Sequence, residues 1–100
     1  MLIVVGSATA APGRRNELVT AAREVAAATR TDRGCLAYSF AADVENVDRI
    51  MSIEIWADRA ALDEHMAHGH TEAFLRVAPG PVLGDPVMSS FDVRDDARAT

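Results

Sequence analysis

The sequence predicts an α+β fold of ferredoxin-like β-α-β-β-α-β order, with a four-stranded antiparallel sheet and two helices on one face. Three observations predict it. The apolar period alternates between about 2 and about 3.6 residues in that order. Breaker clusters such as Pro12-Gly13 and Pro79-Gly80-Pro81 fall where the period changes. A chain of 100 residues, 49% hydrophobic and 25% charged, has the size and balance of one ordinary core. We expect one domain over residues 1–94 and a disordered tail over 95–100, where the residues are charged or small.

Leu2 to Ala10 is rich in β-branched residues and ends at the Pro12-Gly13 turn, which predicts the first strand. From Arg14 the residues Leu18, Ala21, Ala22, Val25, Ala28 and Thr29 recur at helical spacing, with Arg and Glu between them, so an amphipathic helix follows. Thr31-Asp32-Arg33-Gly34 ends it, Gly34 being suited to a left-handed turn. Cys35 to Ala42 reads as a strand with Leu36, Tyr38 and Phe40 on one face. The polar stretch Asp43 to Asp48 is a hairpin loop leading into a third strand, Arg49 to Trp56. Asp58 suits a helix N-cap, and Leu62, Met66, Gly69 and Ala73 predict the buried stripe of a second helix, bent if Gly69 yields. Gly84-Asp85-Pro86 breaks the chain again before a last strand, Val87 to Val93.

The first and third strands are apolar at both parities, Leu2 and Val4 against Ile3 and Val5, and Met51, Ile53 and Ile55 against Ile50 and Trp56. A half-solvated sheet would alternate apolar with polar, so the second face must also be covered. A symmetric partner packed sheet to sheet supplies that cover, and a homodimer is expected.

The net charge of −5, with no basic run, provides no footprint for a phosphate backbone, so nucleic acid is not an expected partner. All the positive side chains are arginine, which excludes lysine Schiff-base and P-loop chemistry. A lone Cys35 and no secretion signal predict a cytoplasmic protein, and no stretch is apolar for long enough to span a membrane.

The densest run of functional side chains is Glu54-x-Trp56-x-Asp58-x-x-Ala61-Leu62-x-x-His65-x4-His70-x3-Phe74. Ser52, Glu54 and Trp56 share a strand parity, which should face the helices and a cavity. Trp56 either stacks a ligand ring or plugs the core. His65 and His70 flank the apolar stripe, where each can serve as a base near neutrality or donate to a carboxylate such as Glu54. His65, His68 and His70 also invite a metal reading. His70 at i+5 points away on an unbroken helix, however, and no H-E-x-x-H or cysteine pair completes a site, so no metal is expected.

With Gly34-Cys35-x-x-Tyr38 upstream, this run resembles the antibiotic biosynthesis monooxygenase domain family from Leu2 to about Val93. The resemblance implies a dimeric α/β barrel and a cofactor-independent monooxygenase that uses O2 to oxidise an aromatic small molecule, a phenol or hydroquinone, to a quinone. It implies His65 or His70 as the base taking the phenolic proton, and Trp56 and Phe74 as holders of the ring. Tyr38 or Ser52 would bond the substrate's oxygens, with Glu54 in the same pocket. Heme-degrading relatives use an asparagine near the end of the first strand, where Gly6, Ser7 and Ala8 stand here, so heme cleavage is not expected. The alternatives are a non-catalytic small-molecule-binding or accessory dimer and an isomerase of a small oxidised metabolite.

Overall fold

The computed structural model describes residues 1–94, so the tail at 95–100 lies outside the described residues. The elements are β1 (Leu2–Ala10), α1 (Arg15–Thr29), β2 (Cys35–Ala42), β3 (Arg49–Trp56), α2 (Arg59–Met66), α3 (Gly69–Val77) and β4 (Val82–Asp92). All strand pairs are antiparallel, in the order β2-β3-β1-β4, which is the ferredoxin-like arrangement. No helix among the described residues is long and apolar enough to cross a membrane.

The first three strands run over the residues their sequence predicted, because short apolar runs bounded by turn residues are set locally, without help from distant contacts. Ile50, Glu54 and Trp56 are buried against the helices, while Met51 and Ile53 on the other parity are exposed. One cluster joins Leu2, Val4, Val25, Tyr38, Trp56 and Ala61, and a second joins Ala10, Leu18, Ile50 and Ala78. Along α1 the buried set is Leu18, Ala21, Ala22, Val25, Ala26 and Thr29, so Ala26 takes the place expected for Ala28.

Three expectations need correction. In β2 the register slips between Cys35 and Ala37, so Leu36 is the extra residue of a bulge and stands 59% exposed. Cys35, opposite Trp56, packs on the core beside Tyr38 instead. The last strand starts at Val82, because Gly84-Asp85-Pro86 forms an irregularity opposite Ala8 rather than a break.

The third correction concerns the second helix, which is two helices. Asp58 caps α2 as expected, accepting from the Ala61 amide at 2.9 Å. The chain then leaves helical geometry at His68, with φ −72° and ψ 147°, and restarts with Gly69 as the first residue of α3. The break rotates the second half, so the inward residues are Ala61, His65 and Thr71 rather than the predicted stripe through Gly69 and Ala73.

The turn from α1 into β2 depends on Gly34. Its φ is +78°, and a β-carbon there would stand 2.5 Å from Ala61 Cβ on α2. Gly13 shares the left-handed backbone, φ +77°, with nothing within 4 Å. Gly34→Ala is therefore expected to cost about 1–2 kcal/mol for the backbone plus about 1–3 kcal/mol for the forced contact. Gly13→Ala should show the backbone cost alone. Urea midpoints of the two variants measure the difference, and equal losses would reject the contact.

Candidate active site

Burial of Trp56 organises the site. The side chain is fully enclosed, so its indole N–H must find a partner inside the protein, and it donates to Glu54 Oε1 at 3.0 Å. Glu54 and Trp56 are two residues apart on β3, hence on the same face. Burial raises the Glu54 carboxyl above its usual value, an effect that the Trp56 bond and the neighbouring His65 only partly offset. Burial also keeps the Tyr38 phenol protonated well beyond its usual range, with Glu54 adding to the effect.

Glu54 faces a cavity of about 220 Å³ between α2 and the β1–β4 side of the sheet. Its walls include Val4, Leu62, Met66, Met88 and Ser90. Gly6 makes room for the Met88 wall, since a β-carbon there would lie 2.5 Å from Met88 Sδ and 2.7 Å from Ser52 Oγ. A closed apolar cavity of about 150 Å³ holds benzene, so this cleft, which opens to solvent, has room for one substituted ring. Thioether walls adapt to ring shape, and Glu54 is the ionisable side chain among the described residues lining it.

On the other side of Trp56, the His65 ring packs 4.7 Å from the indole and 5.5 Å from Tyr38, centroid to centroid. His65 is 3% exposed, and its Nδ1 lies 3.0 Å from Asp32 Oδ2 and 3.2 Å from the Thr71 hydroxyl. His70 Nε2 also lies 3.0 Å from Asp32 Oδ2, and His68 Nε2 is 3.7 Å from Oδ1. An ionised carboxylate only accepts, so both close imidazole nitrogens carry hydrogens donated to it. Burial pushes the Asp32 carboxyl up, but the bonds from His65 and His70 outweigh it and hold the group below its usual value.

The sequence candidates therefore divide into three groups. Glu54 lines the cavity. Trp56, Tyr38 and His65 form a ring-packed wall behind it, and Phe74 packs on Phe40 at 6.0 Å. His70 stands with His65 at Asp32, while Ser52 lies opposite Gly6 on β1. Asp32 was not among the candidates. It sits 33 residues before His65 in a turn where an aspartate is common, and no local pattern marks it. Leu62, Met66 and Met88 were likewise visible only as apolar positions.

The family model described as antibiotic biosynthesis monooxygenase matches residues 1–77. A crystal structure of an antibiotic biosynthesis monooxygenase is 29% identical, with TM-score 0.87, over 94% of this chain and 99% of that one. PA3566 from Pseudomonas aeruginosa is 30% identical, with TM-score 0.82, over 90% of each chain. Rv0793 from Mycobacterium tuberculosis shares the fold at 20% identity, with TM-score 0.89, over 97% of this chain and 98% of that one. The uncharacterized protein sll1783 of Synechocystis sp. is 27% identical over 78 residues, 78% of this chain and 53% of that protein. The chain thus spans about half the length of that curated relative.

Asp32 titrates below its usual value in the fold, so its contribution to stability is full above about pH 4 and is lost as pH falls through its folded-state value. Asp32→Asn is expected to lower stability at neutral pH by about 1–3 kcal/mol. It should also flatten the decline of stability below about pH 4. Urea unfolding at a series of pH values measures both, and an unchanged acid limb would count against the assignment.

Proposed function

The chain belongs to the antibiotic biosynthesis monooxygenase family, and from that premise we propose that it is a cofactor-independent monooxygenase acting on a phenol or hydroquinone-type ring. The observation that carries the proposal is the apolar, ring-sized cavity whose ionisable wall is a carboxylate of raised proton affinity. A phenol bound there gives its proton to Glu54. The phenolate is electron-rich enough to reduce O2 itself. One oxygen atom becomes the new ring carbonyl and the other leaves as water, so a phenol and O2 balance with a quinone and water. No flavin or metal enters this scheme.

Glu54 receives the role of base in preference to His65 and His70 because it borders the cavity, whereas both imidazoles direct a nitrogen at Asp32. The Trp56 bond fixes Oε1 and leaves Oε2 to meet the substrate. His65 then positions Trp56 by packing on its ring, with Asp32 behind it as an anchor. Ser90 is placed to bond a second ring oxygen. The single thiol, Cys35, accords with a cytoplasmic setting.

A second copy of the chain completes the proposed enzyme. The sheet face away from the helices presents Val5, Met51, Ile53, Val87 and Phe91, each between 37% and 65% exposed. A contiguous apolar face of this kind is what a two-fold sheet-to-sheet interface buries.

Glu54→Gln keeps the Trp56 acceptor and removes the base. Oxygen uptake with a panel of hydroquinones is expected to fall by about 10²- to 10⁴-fold on the chemical step. Stability has the opposite sign: a carboxyl raised in the fold weakens it as pH climbs through the folded-state value, so the glutamine variant should be at least as stable at pH 7 as the parent. Unchanged turnover would reject Glu54 as the base, and ligand binding without oxygen uptake in the parent would favour an accessory protein.

Light scattering should give twice the chain mass for the parent and a single chain mass for Ile53→Glu, which sets charges against each other across the two-fold face. A monomeric parent at micromolar concentration would refute the dimer.

A further inference from the structure

We propose that Asp32, His65 and His70 form a binding site for a divalent transition-metal ion of the zinc type, with His68 as a fourth donor at its mouth. The site is separate from the cavity at Glu54, from which Trp56 divides it.

The donor set comes from three places in the chain, the turn after α1, the last turn of α2 and the first turn of α3. Asp32 Oδ2 is 3.0 Å from His65 Nδ1 and 3.0 Å from His70 Nε2, and one donor atom from each of the three residues lies within 4.8 Å of the others. Two donors on a tetrahedral zinc ion, each at about 2.0–2.1 Å, stand about 3.3 Å apart. The two separations from Asp32 thus need to widen by only a few tenths of an ångström, while the two imidazole nitrogens, which lie within 4.8 Å of each other, must draw in towards the same spacing. When the hydrogen of each close imidazole nitrogen moves to the other nitrogen of its ring, the freed lone pairs and one carboxylate oxygen are donors that a borderline ion such as zinc accepts, whereas calcium and magnesium require oxygen sets.

The backbone provides an independent argument. On an unbroken helix His70 would stand five residues beyond His65, roughly 140° around the axis, and the two imidazoles would diverge. The extended His68 between α2 and α3 removes that divergence and brings His70 back to the Asp32 side. His68 and His70 then stack at 5.0 Å with planes 14° apart, both with Nε2 towards the same carboxylate. Three imidazoles converge on a single carboxylate whose side chain is only 5% exposed, more donors than one ion pair needs. His68, at 38% side-chain exposure, and His70, at 27%, give an ion a route in from solvent, while His65 and Asp32 form the closed floor.

A bound ion would tie the α1–β2 turn to the α2–α3 junction. Its role would be to fix structure, because the cluster faces away from the ring-sized cavity.

The test uses tag-free protein dialysed against a chelator. Zinc is titrated in competition with a chromophoric indicator, and melting is followed with and without zinc. We expect one zinc per chain and a raised Tm. His70→Ala, at a partly exposed position where folding should be retained, is expected to weaken binding by more than the roughly 10- to 100-fold loss that follows removal of an outer partner of a metal ligand. It should also abolish the Tm gain. Cobalt(II) in place of zinc should give ligand-field bands in the parent that are lost in Asp32→Asn. Absence of zinc binding by the parent at micromolar concentration, or equal affinity in His70→Ala, would overturn the proposal. Neither result touches the oxygen chemistry assigned to Glu54.

Discussion

The enclosed indole of Trp56 is the constraint on which the rest of the site depends. Sealing an N–H away from water obliges the chain to place an acceptor within reach, and β3 does so with a carboxylate two residues earlier. The carboxylate is thereby drawn into a poorly solvated position, and its raised proton affinity follows. The ring surface needs a neighbour too, and His65 supplies it. That imidazole is itself buried and polar, so it requires Asp32. A single large side chain thus accounts for a polar chain that crosses the core from the cavity to the α1–β2 turn.

The interruption between α2 and α3 follows from the same demand. A continuous helix from Asp58 would satisfy its backbone but turn His70 and Thr71 away from His65. Extending the chain at His68 gives up helical hydrogen bonds over about one turn and returns two polar partners to the buried cluster. Glycine immediately after the extended residue makes the restart easy, since it has no side chain to clash as the chain changes direction.

The first three strands and α1 were legible because local rules determine them. Leu18 and Val25 repeat at helical spacing, and Ser52, Glu54 and Trp56 share a strand parity, and both patterns survive folding unchanged. What was hidden depends on partners distant in the chain. Leu36 has the composition of a core residue, and only the slipped register against β3 expels it. The stripe through Leu62, Met66, Gly69 and Ala73 is a sound pattern for one helix and fails because there are two. Glu54 and Trp56 were recognisable as a pair through alternation, whereas Asp32 acquires its role only when a turn and two helix ends meet. The cavity walls Met66 and Met88 come from elements that have no sequence relation at all.

The irregular stretch of β4 has a consequence for how the sheet meets its surroundings. β4 is an outer strand, and an outer strand normally offers a ladder of unsatisfied amides to any extended peptide, including another unfolded copy of itself. Here Gly84, Asp85 and Pro86 all stand opposite Ala8, so the strand bulges. The proline also has no amide hydrogen to offer, and the aspartate places a charge at the rim. An incoming strand would lose register within a few residues. Lateral growth into fibrils is therefore hindered at this border, so the β4 side of the sheet can carry apolar residues without offering a regular ladder to another copy.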